Sequence, residues 1–390
     1  MPPYPPSITD WAEQVNAHLP HLSRPQALVL ALWSYGAQVL HRCGQSQVAG
    51  LLAQVLGQPP DTVRQRLREW TWDKAAKRGT HRQEIVVTEC FAGLLAWIVS
   101  GLPADERRLA LALDATSLKL NWVVLTVSVL YRGCAIPVAW QVLPAMQPGA
   151  WRPHWLALLE HLAGRVPSDW LVLVLADRGL FAHWLFAAIQ ANGWHPFLRI
   201  NGGGLCRPEG ASEFRPLLSL LPATGPVWRG RVVCFKNRPL AASLLAWSDA
   251  AHTQPWLILT DLAPEAAQVA WYGLRAWIEA QFKDLKGGGW QWQHTRMTEP
   301  ARVSRLWLVL ALAMLYSVSL GSRVEAQPPA SLLAELPANP SARWTATARP
   351  QPRRLSLVTL GYLAFLAALI LGRGLPEVQF HAPNPWPAPL

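Results

Sequence analysis

The chain predicts an α/β fold, a mixed β-sheet with flanking helices, preceded by a helical N-terminal domain and interrupted by a β-rich insertion. Three observations carry this. Residues 109–113 (LALAL) and 170–176 (WLVLVLA) are apolar at every position, as in strands buried on both faces, and each is followed by an aspartate. Residues 121–131 and 134–143 are strand-like runs on either side of Arg132–Gly133, which reads as an antiparallel hairpin. Helical periodicity then alternates with the strands, at 154–165 and 181–192, whereas before residue 105 only helical patterns occur.

The 390 residues are enough for a large core and more than one domain. Residues 1–105 form the helical N-terminal domain. Within it, 48–56, the stop GQPP, and 61–70 (DTVRQRLREW) read as a helix, a short turn and a second helix, with Asp61 as N-cap. The second helix exposes Arg64, Arg66 and Arg68 and buries Val63, Leu67 and Trp70. That pattern suits both a DNA-reading helix-turn-helix and a plain helical hairpin. The basic stretch 74–82 (KAAKRGTHR) has the composition to follow a phosphate backbone. Residues 106–320 form the core, with the β-rich insertion at about 201–255 and a strand, 256–260 (WLILT), resuming afterwards. Residues 321–352, rich in Pro, Ala and Ser, read as a linker, and 353–390 as an apolar helix with a Pro-rich tail.

The formal charge of +11 and pI near 9.9 favour a polyanionic partner, nucleic acid before anionic membrane. Five cysteines, an odd number with no CxxC spacing, point to a reducing compartment and argue against a structural zinc site. The N-terminal MPPYPPSITDW has neither a basic start nor an apolar core, so no secretory signal is expected there. Residues 306–320 and 355–372 are apolar, but one is too short for a span and the other only mildly hydrophobic; both read as buried helices, and no membrane partner is expected.

The chemistry gathers around residues 271–286 (WYGLRAWIEAQFKDLK), read as one helix ended by Gly287–Gly289. At about 100° per residue, Tyr272, Arg275, Glu279, Lys283 and Lys286 share an arc beside an apolar stripe of Trp271, Leu274, Ile278, Phe282 and Leu285. Alone, such a ladder reads more readily as a solvated salt-bridge face. Asp114 and Asp177 change that weighting. The strands that precede them are expected side by side and parallel, which puts both carboxylates at one sheet edge. With Glu279 they make three carboxylates able to converge, an all-oxygen set suited to hard divalent ions. Two Mg²⁺ about 4 Å apart could activate a water and stabilise a leaving oxygen in phosphodiester cleavage, with Arg275, Lys283 and Lys286 holding phosphates.

The motifs D-A-T at 114–116, A-D-R-G at 176–179 and Y-x2-R-x3-E-x6-K at 272–286 resemble the signature of DDE transposases, more narrowly the bacterial insertion-sequence branch named for its Tyr-Arg-Glu-Lys motif. The resemblance extends from about 109 to 320, takes in FLRIN, WLILT and RMTEP, and is faint over 1–105. It implies a ribonuclease-H-like core in which Asp114, Asp177 and Glu279 bind two Mg²⁺ (Mn²⁺ substituting), cut transposon ends and join the 3′-hydroxyl to target DNA. It also implies that Tyr272, Arg275 and Lys286 grip the DNA end, with Lys283 added from helical geometry. Trp256 would stack on a flipped base, its alternative being a core tryptophan; Arg178 would be structural, and Arg296 would join Arg64 and Arg68 among the DNA contacts. The implied partners are the transposon ends, target DNA and a second copy of the chain in a synaptic homodimer, in a bacterial cytoplasm and on the nucleoid. A non-cutting DNA-binding copy of the same fold is the alternative. Where the family often carries an acidic residue after the lysine, this chain reads WQWQHT. His294 in that stretch is no required base, because two-metal chemistry needs none.

Overall fold

The computed structural model describes residues 4–77, 83–118, 121–146, 149–222, 227–248, 254–326 and 355–388. Five helices come first: α1 (Pro6–His18), α2 (Arg24–Leu40), α3 (Gln45–Leu56), α4 (Pro60–Trp70) and α5 (Thr88–Gly101). The helix-turn-helix pattern falls on α3 and α4, and Val63, Leu67 and Trp70 are buried as their spacing predicts. The cap differs from expectation. Gly57 closes α3 in the left-handed region, and Pro59 takes the N-cap of α4, so Asp61 lies inside the first turn. Most of the basic stretch 74–82 lies outside the described residues.

β1 (Arg108–Leu118), β2 (Trp122–Tyr131) and β3 (Cys134–Pro144) follow. Arg132 (φ 47°) and Gly133 (φ 85°) both take positive φ, as the two-residue turn of a tight hairpin requires. The left-handed Arg132 is held from the C-terminal segment: its N–H donates to Asn384 Oδ1 at 2.9 Å, and its side chain reaches Glu325 at 2.5 Å and the Pro383 carbonyl at 2.6 Å. The Pro-rich tail is therefore docked on the core. α6 (Arg152–Leu162), β4 (Leu171–Ala176), α7 (His183–Ala191) and β5 (His195–Arg199) continue the alternation.

The expected insertion adds to this sheet. β6 (Leu205–Pro208), β7 (Arg215–Pro216), β8 (Trp228–Cys234) and β9 (Leu240–Trp247) precede β10 (Trp256–Thr260). All ten strands form one mixed sheet in the order β3-β2-β1-β4-β5-β10-β9-β8-β6-β7. β1–β4 and β4–β5 pair parallel; the others pair antiparallel. The stretch excursion between β5 and β10 leaves those two neighbours in the sheet and extends its far edge.

The region read as one helix over 271–286 divides into a 3₁₀ helix (Val269–Ala276) and α8 (Trp277–Leu285). α9 (Pro300–Ala326) runs past the expected boundary at 320, and α10 is Leu357–Ile370; the expected linker lies almost wholly outside the described residues. α9 is long and apolar enough to cross a membrane by length and composition, but 94% of its most apolar window is buried inside the protein. α10 packs on it through two glycines. A Cβ on Gly361 would sit 1.8 Å from the Ser317 carbonyl oxygen, and one on Gly321 would sit 2.0 Å from that of Leu357.

The N-terminal helices are tied to α9 by Arg305, whose side chain is 2% exposed. It donates to the carbonyls of Thr71 (2.6 Å) and Ile85 (3.2 Å) and pairs with Asp73 (2.8 Å) and Glu84 (3.1 Å). Arg305→Met strands two carbonyls and two carboxylates together. It is expected to cost about 2–3 kcal/mol, somewhat below a fully buried pair because both acids are half exposed, measured by urea unfolding.

Candidate active site

Strand parity brings the site together. Ala110 and Ala112 of β1 and Leu173 and Leu175 of β4 share one sheet face with Tyr272, Leu274 and Ile278. Leu109, Leu111 and Leu113 belong to the core on the other face. Side chains alternate along a strand, so Asp114 has the parity of Ala112 and Asp177 that of Leu175. The β1–β4 ladder ends at Leu113↔Ala176, immediately before both aspartates. β1 does not stop at Asp114 as expected; it goes on to Leu118, paired with β2 alone. The two carboxylates thus stand where the parallel ladder opens.

The 3₁₀ helix and α8 lie on that face and bring Arg275 between the acids. Its Nη2 is 2.7 Å from Asp114 Oδ2 and 3.6 Å from Asp177 Oδ2, and its Nη1 is 3.3 Å from Glu279 Oε1. Three carboxylates from β1, the end of β4 and α8 converge on one guanidinium. The Arg275 side chain is 14% exposed and its Nε is buried without a partner. Burial works against its charge, but Asp114, Tyr272, Asp177 and Glu279 together raise its pKa. Burial raises the pKa of Asp114, with further upward pushes from Asp177 and Glu279; Arg275 and the Ala115 N–H, which donates to Asp114 Oδ1 at 2.8 Å, pull the other way. Asp177 Oδ1 accepts from the Gly179 N–H at 3.1 Å. Glu279 is in the first turn of α8, where the helix dipole favours an anion.

Tyr272 is 5% exposed, and burial pushes its phenol up to about 12, with the charges of Arg275 and Arg199 opposing. Lys286, just past α8, donates from Nζ to Thr116 Oγ1 at 2.8 Å and to the Ser117 carbonyl at 3.0 Å, and burial lowers its pKa. Thr116 and Arg199 were not read as site residues. Their signals were present, one as the third residue of D-A-T and the other inside FLRIN.

Of the other predicted residues, Trp256 reaches this cluster through Tyr272, and the rest are not gathered here. Trp256 is 9% exposed, its ring 5.2 Å edge-on from Tyr272 and 5.0 Å from Trp247. Lys283 is exposed on α8 and makes none of the contacts to the three acids. Arg64 pairs with Asp61 at 2.9 Å. Arg68 and Arg296, with His294, line a separate cleft. Arg178 bonds to Gln254.

The three acids close on Arg275 and not on one another; among the described residues no group of three His, Cys, Asp or Glu side chains is placed to hold a metal ion. The donor set still has the chemistry of a hard-cation site: oxygen anions only, from three elements, oriented on a single positive charge.

No curated protein matches this chain. Among solved structures, a cryo-EM structure of the piggyBac transposase synaptic complex with hairpin DNA aligns over 93% of this chain and 77% of that chain, at 11% identity and a TM-score of 0.40, too slight a likeness to carry anything over. Residues 149–316, which include Asp177, Tyr272, Arg275, Glu279 and Lys286 but not Asp114, match the family described as "Transposase DDE domain", and that match supports a DDE transposase.

Proposed function

We propose that this chain is a DDE transposase of the Tyr-Arg-Glu-Lys branch, carried by a bacterial insertion sequence, which binds the terminal inverted repeats of its element, cleaves the DNA ends and joins the 3′-hydroxyls to target DNA. One observation carries the reading: Asp114, Asp177 and Glu279, far apart in sequence, each come within 3.6 Å of the one Arg275 guanidinium. The match over residues 149–316 supports it.

In this reading residues 106–320 are a ribonuclease-H-like catalytic core and residues 1–105 a DNA-binding domain, and two copies synapse two ends. Asp114, Asp177 and Glu279 would hold two Mg²⁺, which when bound supply an activated water and charge relief at the leaving oxygen. The chain's own part is positioning. Arg275, released from the acids, has five donors for a phosphate and offers its unpartnered Nε among them. Lys286, fixed by Thr116, sets a point charge beyond Asp114 along β1. Tyr272 stays a neutral phenol at physiological pH, able to donate to a phosphate oxygen.

The test is a nicking assay with Mg²⁺ or Mn²⁺ on duplexes carrying the inverted repeats that flank the reading frame. Glu279→Gln is expected to bind these duplexes as the wild type does and to lose nicking by about 10³-fold or more, given the several kcal/mol such ligands contribute. Full nicking by Glu279→Gln would sink the catalytic assignment. Wild-type binding without any nicking would make the chain a DNA-binding protein that does not cut.

A further inference from the structure

Four residues after Lys286, Trp290 lines a second cleft of about 630 Å³. Arg42, Arg68, Arg296 and Arg302 line it from the end of α2, from α4, from the segment after α8 and from α9, and no aspartate or glutamate does. None of the four is in an ion pair among the described residues. Glu69, next to Arg68, accepts instead from Gln65 at 2.7 Å. Four unneutralised guanidinium groups around one cavity repel one another, an arrangement that favours occupation by an anion.

Two independent features point the same way. The N-terminus of α3, 12 residues long, opens on this cleft: residues 44–47 line it, with no side-chain cap bond and no acid in the first turn. Its free N–H groups and dipole suit a phosphate. The Nε of Arg302 and the indole N–H of Trp290 are both buried and lack an acceptor, and Trp290 is 0% exposed. Arg68 lies 5.3 Å over the Trp72 ring, which keeps its fork extended.

We infer that this cleft is a second DNA site, taking the sugar–phosphate backbone of the duplex that continues from the candidate active site. The inference rests on the proposed function for the identity of the polyanion. A lone phosphate uses one or two guanidinium groups; four, supplied by four segments, suit successive phosphates. The chain links the two sites directly. The loop from Lys286, which is bonded to Thr116 two residues past Asp114, to Trp290 in the cleft spans at most about 14 Å, and the Trp290 carbonyl accepts from the Cys43 N–H at 2.9 Å, anchoring the loop to the segment that carries Arg42.

The experiment is fluorescence anisotropy of a labelled duplex of about 20 bp, with EDTA present so that no cleavage intervenes, over a range of KCl concentrations. Arg42 and Arg68 are exposed, so Arg42→Gln/Arg68→Gln should fold as the wild type does. Its plot of log affinity against log salt is expected to be shallower by about 1.8, or 0.9 for each phosphate contact removed. Arg302→Gln, checked by thermal melting, should lower the slope by about 0.9. An unchanged slope in the double variant overturns the inference, and so does weaker binding with the wild-type slope, which would mean that the arginines act only through structure. Tighter binding of an RNA duplex of equal length, lost in the same variant, would also overturn it. If the wild type never nicks but the double variant loses its salt slope, the catalytic reading fails and the second site stands.

Discussion

Arg275→Met is expected to lose DNA cleavage and stability together, with the stability loss growing as pH rises. In the wild type this guanidinium is the shared counter-ion of Asp114, Asp177 and Glu279. Met keeps the apolar stem but removes the guanidinium and its charge, so the acids face one another. The Asp114–Arg275 pair is the best shielded, with side chains 20% and 14% exposed. Breaking it should cost about 2–3 kcal/mol at neutral pH; Glu279, 69% exposed, contributes little. The sign follows from Asp114. Its folded pKa already lies above the ordinary carboxylate value because of burial, and Arg275 is the main restraint on that rise. A group with a raised folded pKa binds more protons folded than unfolded, so stability declines as pH climbs from the unfolded to the folded pKa. Removing Arg275 lifts the folded pKa of Asp114 further and deepens that decline. The gap between wild type and variant should therefore be small near pH ~4 and wider near pH ~7.5, read from urea midpoints at the two pH values. A pH-independent gap would mean that Arg275 stabilises by packing alone. If Arg275 clamps a phosphate as proposed, its loss should add a fall in nicking of about 10²-fold or more, even where the variant is folded.

Much of the site was legible because strand patterns carry parity. Fully apolar runs ending in Asp114 and Asp177 implied buried parallel neighbours, and the register Leu113↔Ala176 is that arrangement. The hairpin was legible because Arg132–Gly133 is a two-residue turn between long strand-like runs. What could not be read was decided by tertiary contact. Residues 269–276 have the composition of an α-helix but wind as a 3₁₀ helix. At three residues per turn Val269, Tyr272 and Arg275 stand in line on the sheet face, two of them buried and the third nearly so. A 100° wheel turns Val269 about 120° away from Arg275 and overstates the kinship of Lys283, which the contacts leave outside the cluster. β1 outruns Asp114 because β2 still pairs with it, a partner whose length a local apolar run does not reveal. β6 to β9 looked like a separate insertion because polar and Gly-rich turns interrupt them, yet β10 pairs with β9 along the whole length of β10, a long-range event with no local signature. Arg305 looked like any helix arginine until the Thr71 and Ile85 carbonyls stood next to it.

Asp114→Asn should separate function from fold in the opposite sense to Arg275→Met. The amide is nearly isosteric, and its oxygen can still accept from the Ala115 N–H. Burial raises the pKa of Asp114, so replacing its carboxyl by an amide relieves that burial penalty while weakening one ion pair. The two effects oppose, and the variant should melt within about 1 kcal/mol of the wild type. Nicking should nevertheless fall by about 10³-fold or more, because a neutral amide is a poor ligand for a hard divalent cation and a third of the converging negative charge is gone. Asp114 lies outside the matched span 149–316, so this variant tests the part of the site that rests on strand register and the contact with Arg275. A stable variant that nicks at the wild-type rate would show that the carboxylate beside Arg275 is a structural counter-ion. A variant that nicks poorly and also unfolds early would leave Arg275→Met to decide, since there a pH-dependent gap is required of a charge cluster and not of a packing defect. The combination expected of a functional acid is full stability with lost chemistry, the pattern of a group kept in an unfavourable place for what it does there.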